Sequence, residues 1–170
     1  MKYKFLILVL VVPLLASNAL AAAQDFPAHL YEPNTLRNVI KENTSDATKY
    51  KDTGQLVLTK GRPYRVSVKY TGTSRPISAN RKELLKLWIE SYGIESRFFE
   101  LYENEFLFTE DDVEYWLPVQ TPVAKYFDKE LTKGDRLDVY VQFVGGKRGK
   151  GSDHIDWMFL VNEYQKQQAN

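Results

Sequence analysis

Between residues 56 and 161, apolar side chains repeatedly recur at every second position. Tyr64, Val66, Val68 and Tyr70 alternate with Arg65, Ser67, Lys69 and Thr71, the period of a strand with one buried face. Leu137, Val139, Val141 and Phe143 repeat that pattern, as do Ile155, Trp157, Phe159 and Val161. Leu56-Val57-Leu58-Thr59 followed by Lys60-Gly61-Arg62-Pro63 predicts a hairpin leading into the first of these strands. Phe98 to Tyr102 predicts another strand. Phe106–Thr109 and Val113–Val119 predict a second hairpin around the acidic turn Glu110-Asp111-Asp112. The last two strands flank a long glycine-rich loop, Gly145 to Asp153.

Two segments switch to helical spacing. Asn80 with Glu83 three residues later has capping-box spacing, and Leu84, Leu85, Trp88, Ile89 and Tyr92 follow on one stripe, with Gly93 as terminator. This predicts a major helix over about 80–92. A shorter helix over about 122–131 starts at Pro122, capped by Thr121, with Val123, Phe127 and Leu131 four apart and Gly134 beyond. Each has a single apolar stripe, so each belongs on a sheet or at the end of a barrel. The fold class is therefore β-rich α+β, a small antiparallel curved sheet or a partly closed β-barrel. In element order it resembles the oligonucleotide/oligosaccharide-binding barrel. That fold places its helix between the third and fourth strands, whereas the major helix here follows the second clear strand.

The first 23 residues follow another rule. Lys2 and Lys4 precede the apolar run Phe5–Leu15, and Ala19-Leu20-Ala21 and Ala21-Ala22-Ala23 offer small residues at signal-peptidase spacing. A spanning helix needs roughly 20 apolar residues, and Ser17 and Asn18 interrupt this run early. The expectation is a cleavable signal peptide over 1–23, cut after Ala21 or Ala23, and a periplasmic or secreted product with no membrane span left after cleavage. Residues 24–53 form a polar lead-in expected to pack loosely, with a short helix possible at Leu36, Val39 and Ile40 after Thr35. The globular domain is then 54–164, and 165–170 a polar tail.

Of 23 basic and 22 acidic residues, the leader holds Lys2 and Lys4 and no acid, so the mature chain has a formal charge of −1. That balance argues against nucleic acid as partner, since such binding needs clustered positive charge. Cysteine is absent, so an exported chain must hold its fold by its core alone. The 14% aromatic content is consistent with such a core.

Candidate chemistry is sparse. Lys147, Arg148 and Lys150 among four glycines suit an anion such as a phosphate or carboxylate. The stretch departs from the nucleotide-binding P-loop, because Gly151 follows Lys150 and a strand, not a helix, comes next. The plainer reading is a solvated connection. Asp153, His154 and Asp156 could contribute metal ligands, but a metal needs three or four and the only other histidine is His29. No cysteine nucleophile, G-x-S-x-G elbow or cofactor fingerprint is present. The acids Glu100, Glu103, Glu105, Glu110, Asp111, Asp112 and Glu114 suit the wet face and turn of a hairpin. Tyr64, Tyr70 and Trp157 fall in register with aliphatic neighbours and read as core, while Trp116 or Tyr115 can point outward. The leading expectation is an exported, non-catalytic binding or protein-interaction module for an unknown protein or anionic ligand. Its candidate site is Lys147, Arg148, Lys150, Asp153 and His154. The alternatives are a small envelope hydrolase using carboxylates or His154, and a structural subunit that contributes a sheet edge to an exported assembly.

Overall fold

The fold is organised around one long strand. In the computed structural model, which describes residues 26–48, 56–148 and 154–168, β2 (Leu56–Pro76) runs 21 residues without a break. One edge pairs antiparallel with β5 (Arg136–Arg148), from Leu56↔Lys147 to Lys69↔Arg136. The other edge takes the short parallel β1 (Glu32–Pro33) and then β3 (Asn104–Glu110). The hairpin expected at Lys60–Pro63 is therefore absent. The register shifts between Leu58 and Arg62, and Gly61, at φ +78°, absorbs the irregularity as a bulge. Glycine and proline together read as a turn, but β5 continues alongside and keeps the strand extended.

β4 (Val113–Val119) returns from β3 through Asp111 and Asp112, at φ 47° and 65°. Two consecutive left-handed residues make the two-residue turn whose twist matches flanking strands, so the acidic hairpin is as expected. β6 (Ile155–Lys166) pairs antiparallel with β5. The sheet order is β1-β2-β3-β4-β6-β5, with β5 returning to β2, so five strands form a ring. Its weakest junction is β4 to β6, which pair in parallel only at Val119↔Val161. Gln120 N–H donates to Val161 C=O (3.2 Å) beside it, and the Gln120 amide donates to Asn162 Oδ1 (3.0 Å). Tyr102, its phenol pKa raised by burial and so a neutral donor, adds a bond to Asn162 Oδ1 at 2.8 Å.

The predicted alternation fills the ring. Tyr64, Val66, Val68, Tyr70, Leu137, Val139, Val141, Phe143, Phe159 and Val161 share one buried cluster with Phe106, Phe108, Leu117 and Val119. The shorter helix expected at 122–131 is two single turns, α3 (Thr121–Ala124) and α4 (Phe127–Glu130), and Gln120, not Thr121, takes the N-cap position of the first, without a side-chain capping bond. They still deliver Val123, Phe127 and Leu131 to the interior. Phe127 meets Phe106 edge-on at 4.9 Å and Tyr164 at 5.0 Å. Counting β2 as first in the ring, this pair lies between the third and fourth strands. The resemblance to the oligonucleotide/oligosaccharide-binding barrel is thus in these short turns, and the major helix is an addition outside the ring.

That major helix, α2 (Ala79–Ser91), matches the expected stripe but not the expected cap: Ser78, not Asn80, accepts the N–H of Arg81. Leu84, Leu85, Trp88 and Ile89 form a second core with Val144, Met158 and Leu160, which alternate with inward positions of β5 and β6. Phe98 to Tyr102 is not a strand. Ser96–Leu101 is a 3-10 turn whose apolar residues, at 98, 99 and 101, lack period two and pack on this outer core.

The lead-in is more tightly held than expected. α1 (Leu36–Thr48) buries Leu36 and Val39 in the ring cluster. Glu110, only 5% exposed, accepts the N–H groups of Leu36 (2.8 Å) and Arg37 (3.0 Å), a carboxylate at the positive end of a helix. At the other end of the chain, Gln165 and Lys166 continue β6, and Gln167 N–H donates to Arg136 C=O at 2.9 Å.

Gly145 tests how closely β2 and β5 approach. A Cβ there would sit 1.8 Å from the Val57 carbonyl oxygen, on a backbone at φ +134°. Gly145→Ala is expected to lose about 3 kcal/mol, seen as a lower urea midpoint at unchanged slope. Gly93→Ala, where nothing lies within 4 Å and φ is +62°, should cost only about 1–2 kcal/mol.

Candidate anion-binding cleft

Because β4 and β6 meet only at Val119↔Val161, they diverge toward Val113 and Ile155. A cleft of about 1270 Å³ opens between them. Ile40 and Thr44 of α1 wall its wide end, and Tyr115, Leu117, Ile155, Trp157 and Phe159 give it apolar surface. Arg75, Arg81, Lys147 and Arg148 supply cations, and Glu114, His154 and Asp156 the remaining titratable groups.

Arg81 spans the seam. Its Nη1 donates to Glu105 Oε2 (2.9 Å) and to the Trp116 carbonyl on β4, and its Nη2 to Asp156 Oδ1 on β6 (2.6 Å). Burial alone would pull this guanidinium's pKa down. The bonds and charges of Asp156 and Glu105 outweigh burial and raise it. Glu105, with no exposed surface, is shared with Arg75 Nε at 2.5 Å. Arg75 in turn lies 3.8 Å over the Trp116 ring.

Among the described residues Arg148 meets no such partner. It is 8% exposed, and its Nε is the sole buried side-chain polar atom without a hydrogen bond among the described residues. It pairs with Ile155 across the β5–β6 ladder, which puts it on the face carrying Ile155, Trp157 and Phe159. Beside it the Trp157 ring lies over Gly146, where a Cβ would come within 2.6 Å of the indole. A bare hydrogen in the strand makes room for the indole.

The expected site residues divide two ways. Lys147, Arg148 and His154 line the cleft, whereas Lys150 and Asp153 lie outside the described residues. Lys147 is already bound to Glu83 of α2 at 2.6 Å. Gly145 to Arg148 are not loop but the end of β5, since Leu56–Leu58 of β2 extend the ladder that far. Asp156, considered beside His154 as a metal ligand, is bound to Arg81, and no group of three His, Asp or Glu placed for a metal occurs among the described residues.

Sequence reasoning missed Arg75 and Arg81, and it placed Glu105 and Glu110 on the wet face or turn of a hairpin, whereas both are buried because arginines and the first N–H groups of α1 hold them. Arg81 did carry a signal: it sits three and four positions before Leu84 and Leu85, on the buried stripe. The Arg75↔Glu105 pairing depends on strand register and carried none. A smaller hollow of about 220 Å³ beside Asp111 and Asp112 is lined by charges of both signs, Lys69 and Arg136 included.

No protein family, curated protein or solved structure matches the chain. No helix among the described residues is long and apolar enough to cross a membrane.

Removing Arg81 leaves Glu105 buried with half its counter-charge. Arg81→Ala should therefore cost about 3–5 kcal/mol in urea unfolding. Adding Glu105→Gln should restore part of that loss, with a coupling above about 1 kcal/mol in the double-mutant cycle.

Proposed function

We propose that the protein is an exported, non-catalytic binding module that holds an anionic group of its ligand on Arg148, inside the cleft between β4 and β6. The observation that carries this is the buried guanidinium with an unbonded Nε. A buried N–H left without a hydrogen bond costs about 1–3 kcal/mol, and a ligand anion would offset that cost. The apolar walls around it give the rest of a ligand somewhere to lie. Barrels of the kind this ring resembles meet their ligands at the second and third strands and at the first-to-second and fourth-to-fifth connections. By ring position these are β3, β4, the α2 segment and the β5–β6 connection; β4, α2 and the residues flanking that connection, Lys147, Arg148 and His154, line this cleft, and β3 does not.

A further point favours binding over hydrolysis. Glu105 and Asp156 are held by arginines, so their oxygens are engaged within the fold and not presented to a substrate. Export is supported by the leader pattern. Mass spectrometry of the product from a periplasmic or culture fraction should find a mature N-terminus at Ala22 or Gln24, and an intact Met1 there would refute it.

Arg148→Met gives the direct test. A binding residue that is unpaired in the free protein should be replaceable without loss, or with a gain of about 1–4 kcal/mol. Millimolar benzoate should raise the melting temperature of the parent by a few degrees and leave the Met variant unmoved. A Met variant destabilised by more than about 2 kcal/mol would make Arg148 a structural residue instead.

A further inference from the structure

The seam has a property that a simple anion site does not need: two strand edges face it unladdered. β4 is paired along one edge with β3, from Asn104↔Val119 to Glu110↔Val113, and β6 along one edge with β5 as far as Arg148↔Ile155. The Trp116 carbonyl bonded to Arg81 and the Gln120 N–H bonded to Val161 show which residues turn their backbone toward the seam. By the alternation of a strand, Glu114, Trp116 and Pro118 share that side. Pro118 fits this arrangement, because a proline inside a strand is tolerated where its missing N–H faces away from the ladder. Edges of this kind are templates for another strand.

The aromatic rings at the seam are engaged elsewhere. Arg75 covers Trp116, and Trp157 packs against Phe143 at 5.8 Å and over Gly146. That weakens the case for a stacked base or sugar. Arg81 already holds the Trp116 carbonyl, so the stretch of β4 open to a new strand runs from Val113 to the Trp116 N–H, about 13 Å at roughly 3.3 Å per residue, matching about four residues of an extended peptide. Arg148 sits opposite Ile155, at the wide end. A chain entering there and pointing toward Val119 passes Arg148 before it ends, so the carboxylate it offers is a side chain rather than a terminus.

Resting on the anion-binding reading, we propose that the ligand is an extended polypeptide segment that adds as a strand to the free edge of β4 and places an Asp or Glu side chain on Arg148. Panning a random octapeptide display library on the full chain supplies the probe, and the enriched sequence is then made as a free peptide. The expected result is enrichment of peptides with one acid among alternating apolar residues. Their affinity should fall at least tenfold with Arg148→Ala in the protein, with Asn or Gln for the peptide acid, or with N-methylation of alternate peptide amides. Glu114→Pro, which removes an edge N–H and leaves Arg148 in place, should lose the peptide yet keep the benzoate response. The amide of Trp116 should gain hydrogen-exchange protection when peptide is bound. No enrichment, or peptides indifferent to N-methylation and to Glu114→Pro, would overturn strand addition while a benzoate response dependent on Arg148 left the anion site standing. Decanoate filling the cleft and no enriched peptide displacing it would likewise overturn it. Loss of the benzoate response itself would remove both readings.

Discussion

Between β4 and β6, a single side chain replaces a hydrogen-bond ladder. Elsewhere the ring closes through long registers, thirteen residues of β5 among them, and backbone bonds of this kind are individually modest but numerous. At the seam there is one strand pair, and beyond it Arg81 reaches from α2 to the Trp116 carbonyl, Glu105 and Asp156. The outer core follows from this, because Leu84, Leu85 and Trp88 seat the helix that aims Arg81. The cleft follows as well. A full β4–β6 ladder would shut it, and without Arg81 the strands would have no tie between Trp116 and Asp156.

Arg81 and Arg148 line one cleft and differ in what surrounds them. Arg81 meets two carboxylates and a carbonyl, which together outweigh desolvation, so its charge is satisfied within the fold. Arg148 is as deeply placed, and its Nε has no partner. A native interior seldom leaves such a group, since nearly all buried polar atoms are bonded. The contrast separates a residue that closes the seam from one whose Nε the described residues leave unbonded. It also explains why a cluster of cations is a poor guide by itself: Lys147, next in sequence to Arg148, is already paired to Glu83.

Much of the ring was legible because alternation is a local property. Tyr64–Tyr70, Leu137–Phe143 and Ile155–Val161 announce both strand and inward face, and the structure buries those faces together. The acidic turn and the stripe of α2 were legible on the same basis. The failures share a cause, which is dependence on a distant partner. Lys60–Pro63 has turn composition, and only β5 alongside makes it a bulge. Gly145–Arg148 reads as loop until Leu56–Leu58 are found opposite it. For the site, the charges of Lys147 and Arg148 were visible, but not the burial that distinguishes Arg148, nor the Arg75–Glu105–Arg81 chain, because both require register.

α1 shows the same dependence with a consequence for the cleft. Residues 36–48 are polar enough to suggest a loose lead-in, yet Glu110, 74 positions later than Leu36, accepts the first N–H groups of the helix. Glu110 itself is placed by period two: it follows Phe106 and Phe108 on the inward side of β3, where an acid would be costly without donors. The helix removes that cost and gains a cap, so each stabilises the other. Held there, α1 buries Leu36 and Val39 and sets Ile40 and Thr44 against the wide end of the seam. A ring formed from residue 54 onward alone would leave Glu110 without those donors, open the interior and remove one wall of the cleft. The segment that looks most dispensable thus completes both the core and the wall of the cleft.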